Sequence, residues 1–275
     1  MTAIAVVTVC TRSRWDHVLA QLGTLERRHS DRPAHVLVWL DDDAPPEVPG
    51  ATVLRLPPGE HGLRVGAARN IGADAAIAGG AELVVFLDAD CIPGPRMLDR
   101  YVQAAAAHPG ALLCGPVTYL PEGAPAHDDG ALDAATAPHP ARPSPPDGTM
   151  SVADASDYDL FWSLSFAIDA AGWRRIGGFC PDYQGYGAED TDFARIARRA
   201  GIPLVWVGGA HAYHQHHPTS SPPWQHLDDI LRNAAVFFTR WGEWPMGGWL
   251  RAFAAEGAIE LIGGAWVRPT RALPR

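Results

Sequence analysis

The sequence predicts an α/β protein with a mostly parallel sheet flanked by helices and a helical C-terminal extension. Three observations carry this expectation. Apolar runs of strand length alternate with helix-length segments. Several of these runs are continuous rather than alternating, as in strands buried on both faces. Three of them stop on polar or acidic residues, so one edge of the sheet is chemically loaded.

In chain order, Ile4 to Val9 reads as a first strand and the polar Thr11-Arg12-Ser13-Arg14 follows it. A helix is expected from about Trp15 to Arg28, then a strand from His35 to Leu40 that ends in Asp41-Asp42-Asp43. Ala51 to Leu56 reads as a third strand and the Ala-rich Val65 to Ala78 as a helix. Leu83-Val84-Val85-Phe86-Leu87 is the clearest buried strand, and it stops on Asp88-Ala89-Asp90. A helix over 95–107 and a strand over 111–117 come next. Seven prolines and little large apolar matter make 121–150 a long loop, either a tolerated insertion or a mobile flap. Order is expected to resume in a strand over 160–168, a helical turn to Ile176, a helix over 193–200 and a strand over 204–207. Two amphipathic helices after Trp224 split near Trp244-Pro245-Met246-Gly247-Gly248. Residues 1–223 are expected to form the main domain, with 224–275 packed on it.

Composition narrows the function classes. The chain has 275 residues, 47% of them apolar and 19% charged, which fits a folded domain with an ample core. The formal charge of −9 argues against binding a nucleic-acid backbone, so no nucleic-acid partner is expected. All 22 basic residues are Arg, a bias that looks genomic. Cys10, Cys91, Cys114 and Cys180 are scattered without a CxxC pair, as expected of reduced thiols in a cytoplasmic protein. No leader pattern and no apolar run of about 20 residues stands out, so no membrane span is expected. Aromatics after Trp224 are expected to serve as core or as a face between two copies.

Four groups carry candidate chemistry. Asp88 and Asp90 point the same way beyond a buried strand and form a cradle for a hard divalent cation; an acidic helix-capping turn is the structural alternative. Glu189, Asp190 and Asp192 fall in a helix first turn after Gly185, Gly187 and Ala188, with Tyr183 and Tyr186 beside them as a stacking surface for a sugar ring. Helix capping alone would also explain those acids. His211, His214, His216 and His217 crowd the end of a strand, and His211 and His214 lie three apart. With Asp90, their imidazoles make a mixed oxygen–nitrogen site that suits Mn²⁺ better than Mg²⁺. Gly66-Ala67-Ala68-Arg69-Asn70-Ile71-Gly72 lacks both the dinucleotide glycine pattern and the P-loop Lys-Ser/Thr. Arg69 and Asn70 are then either diphosphate or base contacts, or a polar helix face.

Taken in order, Val6 to Arg12, Gly66 to Gly72, Phe86 to Asp90, and Ile176-Gly177-Gly178-Phe179 through Asp192 resemble a GT-A glycosyltransferase of the inverting family 2 type. The last third is also similar to the C-terminal segment of β-1,4-galactosyltransferases and polypeptide GalNAc-transferases. The resemblance implies a nucleotide-diphosphate sugar donor, UDP-linked, and a glycan, peptide or small-molecule acceptor. It implies that Thr11, Arg12 and Asp41 hold base and ribose, that Arg69 and Asn70 belong to the donor pocket, and that Asp88 meets ribose or sugar. Asp90 would ligate the metal with His214 and His211, Asp190 would be the general base, and Glu189 would read hydroxyls beside it. Tyr186-Gly187-Ala188 replaces the expected Trp-Gly-Gly before Glu189. A haloacid-dehalogenase-like phosphatase, which also ends a strand in Asp-x-Asp, and a non-catalytic nucleotide-sugar-binding module are the rival readings.

Overall fold

The computed structural model describes residues 2–29, 33–124 and 128–269. The first half runs β1 (Ile4–Cys10), α1 (Trp15–Arg28), β2 (Ala34–Trp39), β3 (Ala51–Arg55), α2 (Val65–Ala78), β4 (Leu83–Leu87), β5 (Cys91–Pro93), α3 (Met97–Ala107), β6 (Leu112–Cys114) and β7 (Val117–Tyr119). After it come α4 (Asp129–Ala134), β8 (Met150–Val152), β9 (Ser165–Asp169), α5 (Ala170–Ile176), α6 (Glu189–Arg199), β10 (Leu204–Val207) and β11 (Ala212–His214). The chain closes with α7 (Leu227–Trp241), α8 (Gly247–Ala255) and a hairpin of β12 (Glu260–Ile262) and β13 (Ala265–Val267).

Among the described residues, eight strands form the main sheet in the order β3-β2-β1-β4-β9-β6-β10-β8. Neighbours β3, β2, β1 and β4 are parallel, as are β6 and β10. Strand β9 runs antiparallel between β4 and β6, and β8 antiparallel on the β10 edge. The continuous apolar run in β4 reflects burial on both faces: Val84 and Phe86 face the α2 and α6 side, while Leu83, Val85 and Leu87 face α3. On the first of these sides, Phe86, Phe166, Phe179 and Phe193 stack through close ring contacts.

Two expected strands differ from the prediction. The run over 111–117 divides at Gly115-Pro116 into β6 and β7, which join different sheets. Pro116 has no N–H for a ladder, and a Cβ on Gly115 would strike the Ala210 carbonyl oxygen at 1.7 Å, so the chain crosses closely there. The run over 160–168 begins as a 3-10 turn over Asp157–Leu160 and becomes strand only at Ser165. The Pro-rich stretch also carries buried anchors, Leu132 and Arg142, among its described residues.

A second sheet, β5-β11-β7, stands at the carboxyl end of the main one. It pairs His214 with Cys91 on one side and with Tyr119 on the other. Residues far apart in sequence are thereby placed beside the Asp88–Asp90 turn. No helix among the described residues is long and apolar enough to cross a membrane.

A buried polar chain runs beneath that turn. His35 Nε2 lies 3.1 Å from the Thr8 hydroxyl, and that hydroxyl donates to Gln21 Oε1 at 2.8 Å. Gln21 Nε2 in turn donates to the carbonyls of Asp88 and Cys91, each at 2.8 Å. Burial pushes the His35 imidazole from 6.5 down to about 4. The unfolded chain therefore protonates His35 at a higher pH than the folded one. The stability it protects is complete above pH 6.5 and is lost as pH falls through about 4, a difference on the order of 3 kcal/mol. Urea unfolding followed from pH 7 to pH 4 is expected to show this loss, and the dependence should be shallower in His35→Gln.

Candidate active site

The turn after β4 is held from several directions. The Asp88 N–H donates to the Leu164 carbonyl at 3.0 Å, and the Cys91 N–H closes the turn on the Asp88 carbonyl at 2.9 Å. The Gln215 N–H donates to the Asp90 carbonyl at 2.7 Å, tying the chain after β11 to the same turn. With these groups bound, both carboxylates project from a fixed backbone.

Asp90, His214 and His217 converge, with one ligand atom from each within 4.8 Å of the others. His214 Nε2 is 3.5 Å from one Asp90 oxygen and His217 Nε2 is 3.3 Å from the other. Burial lowers the His214 pKa and favours the neutral imidazole that can ligate a metal, although Asp90 works against it. For Asp90, burial acts to raise the pKa. The His217 hydrogen bond and the charges of His214, His217 and Arg14 outweigh it and hold the carboxyl below its ordinary value. One carboxylate and two imidazoles, mostly shielded from solvent, form a mixed oxygen–nitrogen donor set of the kind that can hold a first-row divalent cation.

His211 is not part of this group, which corrects the expectation from spacing. Its Nε2 lies 2.7 Å from the Thr118 hydroxyl and its ring packs 4.7 Å from that of Tyr213. The reason is the strand itself. Residues three apart share a face on a helix, but in an extended segment they point to opposite faces. His217, beyond the end of β11, takes the place assigned to His211.

The acids at the start of α6 lie on the other side of Asp88. Arg69, buried on α2, donates to Asp88 Oδ1 at 2.7 Å, and its other terminal nitrogen lies 3.7 Å from Asp190 Oδ1. Ser163 fixes Asp190 by donating its hydroxyl at 2.6 Å and its backbone N–H at 3.0 Å, one to each carboxylate oxygen. Burial raises Asp88 to about 6, opposed by Arg69. Burial also raises Glu189, with Asp190 adding to the shift. Ser163 carried no signal in the sequence beyond its place in an apolar run.

The turn leading into α6 is tight. Gly187 has φ 101°, and a Cβ there would meet the Met246 sulfur at 2.9 Å. Ala188 takes the left-handed conformation at φ 73°, a strained state for a residue with a side chain, immediately before Glu189 and Asp190. Helix α7 braces this turn: Asn233 donates to the Tyr186 and Gly187 carbonyls at 3.2 and 3.0 Å. Tyr186 is exposed and stacks on His226 with centroids 4.4 Å apart.

Asp192, the third acid of the cluster, has a structural role. It is fully buried and accepts hydrogen bonds from Arg240 Nε and Trp241 Nε1, both at 2.6 Å. Removing it leaves a guanidinium and an indole N–H without their acceptor. Asp192→Ala is expected to cost about 3–5 kcal/mol, measured as a drop in the urea midpoint.

Asn70 also departs from the expected donor-pocket role. Its amide donates to the Phe179 carbonyl and accepts from the Phe179 N–H, both at 2.8 Å. Both ends of the side chain are engaged in closing the Gly178-Phe179 turn against α2. Thr11, Arg12 and Asp41 meet at the rim of a cleft of about 590 Å³, lined also by Ser13, Asp42, Asp43 and Leu63. The Arg12 N–H donates to Asp41, and the Arg12 side chain donates to Asp43 at 2.6 Å while lying over the Trp39 ring. The cleft opens at the carboxyl ends of β1 and β2, where open α/β sheets bind ligands.

No protein-family model matches the chain. The chain is similar to validoxylamine A glucosyltransferase of Streptomyces hygroscopicus subsp. jinggangensis (strain 5008), 31% identical over a 173-residue alignment that covers 52% of this chain. It spans only 37% of that relative's length. Among solved structures, GalNAc-T7 with UDP, GalNAc and Mn²⁺ superposes with a TM-score of 0.55 at 16% identity, over 85% of this chain and 47% of that one. TarS 1-349 of S. aureus superposes with a TM-score of 0.54 at 15% identity, over 86% and 66% of the two chains. Together with the mixed sheet and the loaded carboxyl edge, these likenesses establish that the chain has the GT-A glycosyltransferase fold.

Proposed function

We propose that this chain transfers a glycosyl group from a nucleoside-diphosphate sugar, UDP-linked, to an acceptor hydroxyl, with a divalent cation and inversion at the anomeric carbon. One observation carries the reading. The candidate metal-ligand group and the acids of α6 lie at one sheet edge: Asp88, two residues from Asp90 along the chain, bonds Arg69, which reaches Asp190. A site with a cation at one end and a fixed carboxylate at the other suits displacement at a carbon bearing a diphosphate. The curated relative's name carries glucosyl transfer, and the GalNAc-T7 structure contains UDP and Mn²⁺; both support the reading.

In this mechanism Asp90, His214 and His217 would hold the cation, which would supply Lewis-acid stabilisation of the departing diphosphate. The cleft at Thr11, Arg12 and Asp41 receives base and ribose. Arg69 holds Asp88 toward the donor and keeps a positive charge beside Asp190. Ser163 turns Asp190 so that it accepts the proton of the attacking hydroxyl as the new bond forms. Glu189, raised toward its protonated form, donates a hydrogen bond to a neighbouring hydroxyl while Asp190 accepts one. A single base opposite the leaving group gives inversion.

The test is hydrolysis or transfer measured over a panel of nucleotide sugars with Mn²⁺, with Mg²⁺ and with excess EDTA. Cation-dependent turnover of one donor is the expected result. Full turnover in EDTA would overturn the metal role, and turnover of a simple chromogenic phosphate ester instead would favour a phosphatase.

A further inference from the structure

A strip of aromatic rings joins the two ends of the proposed site. The Tyr119 ring packs 4.5 Å from that of His214, the His139 ring 5.6 Å from Tyr119, and the Trp162 ring 5.0 Å from His139. The strip starts at a candidate metal ligand. It ends at the residue preceding Ser163, which clasps Asp190. Tyr119 is 48% exposed and Trp162 and His139 are half-buried, so the strip is open to a ligand.

Its back is braced in an unusual way. The Arg142 guanidinium lies between Trp162 and Trp206, 5.2 Å from each ring centroid. Arg142 is only 6% exposed, and none of its three side-chain nitrogens has a hydrogen-bond partner among the described residues. Its charge rests on two indole faces, whose quadrupoles attract a cation. The Arg142 N–H donates to the His139 carbonyl at 3.2 Å, and the His139 N–H donates to the Val117 carbonyl on β7 at 2.9 Å. The Pro-rich stretch is thus fastened to β7, and it presents His139 and Arg142 at fixed positions.

We propose that Tyr119, His139 and Trp162 form the acceptor platform, and that the acceptor is a ring polyol, a pyranose or cyclitol. The proposal rests on the transferase reading above. An acceptor hydroxyl must reach Asp190 from the side of the anomeric carbon opposite the departing diphosphate, and a ring stacked on Trp162 and His139 would lie next to Ser163, which holds that carboxylate. Ring faces carry negative quadrupole density and attract the C–H face of a cyclic polyol, leaving its hydroxyl edge free for Asp190 and Glu189. An extended peptide would add to a strand edge instead, and at Val117 the carbonyl on that edge is taken by His139.

The experiment is a titration of methyl β-glucopyranoside, with sorbitol as the open-chain control, followed by indole fluorescence in the presence of UDP and Mn²⁺. The wild type is expected to show a saturable change with the pyranoside and none with sorbitol. In Tyr119→Ala and His139→Ala, which keep the Trp162 reporter, the pyranoside should bind about tenfold more weakly, the size of an aromatic contact worth ~1.4 kcal/mol. UDP affinity should stay unchanged in both. Equal responses to pyranoside and sorbitol, or unchanged pyranoside affinity in both variants, would overturn the proposal. Should ring-dependent binding occur while no nucleotide sugar is turned over, the polyol subsite stands and the transferase reading falls. Should turnover proceed with the variants binding as the wild type does, the reverse holds.

Discussion

Asp190→Asn is expected to lose glycosyl transfer by about 10²–10⁴-fold while binding UDP as the wild type does. The substitution keeps the shape, the amide oxygen can still accept from the Ser163 N–H and the amide NH2 can donate to the Ser163 hydroxyl, but an amide cannot take the proton of an attacking hydroxyl. The loss should therefore fall on kcat, with the donor KM little changed. Isothermal titration with UDP and a single-turnover transfer assay separate the two quantities. Turnover near the wild-type rate would remove Asp190 as base and leave it as a partner of Ser163 and Arg69.

The second large effect concerns the cation. Asp90→Ala is expected to abolish cation-dependent turnover, and His217→Ala to raise the Mn²⁺ concentration for half-maximal activity at least tenfold, since losses of 10- to 100-fold follow even from disturbing the outer partners of metal ligands. His211→Ala should leave that concentration where it is, because its ring faces Tyr213 and Thr118. Metal titrations of the four proteins under one assay give the comparison. An equal effect of His211→Ala and His217→Ala would mean that the Asp90, His214, His217 grouping does not hold the ion.

Periodicity was most informative where a segment is buried on defined faces. The bounds of α1, α2 and β4 could be read from the amino acids because apolar spacing and their polar flanks agree with the final packing. Local pattern failed where the outcome depends on a distant partner. Nothing near Gly115-Pro116 reveals that the chain leaves one sheet for another there, because the cause is the approach of Ala210. The Asp88-Ala89-Asp90 turn and the acids after Gly187 stood out through composition. Asn70, by contrast, looked like a pocket residue because its partner, Phe179, is 109 positions away. The histidines show the limit most clearly: four in seven residues marked the place, but choosing among them required knowing that β11 is extended.

Gln21 sits on α1 and has no assigned role in the reaction, yet its amide secures two carbonyls of the loop that bears Asp88 and Asp90. That loop is consequently shaped in advance of any ion, and association with one need not include the entropic cost of ordering it. Affinity for the cation is thus set partly by a helix that never touches it, and drift at position 21 would loosen the catalytic centre from behind.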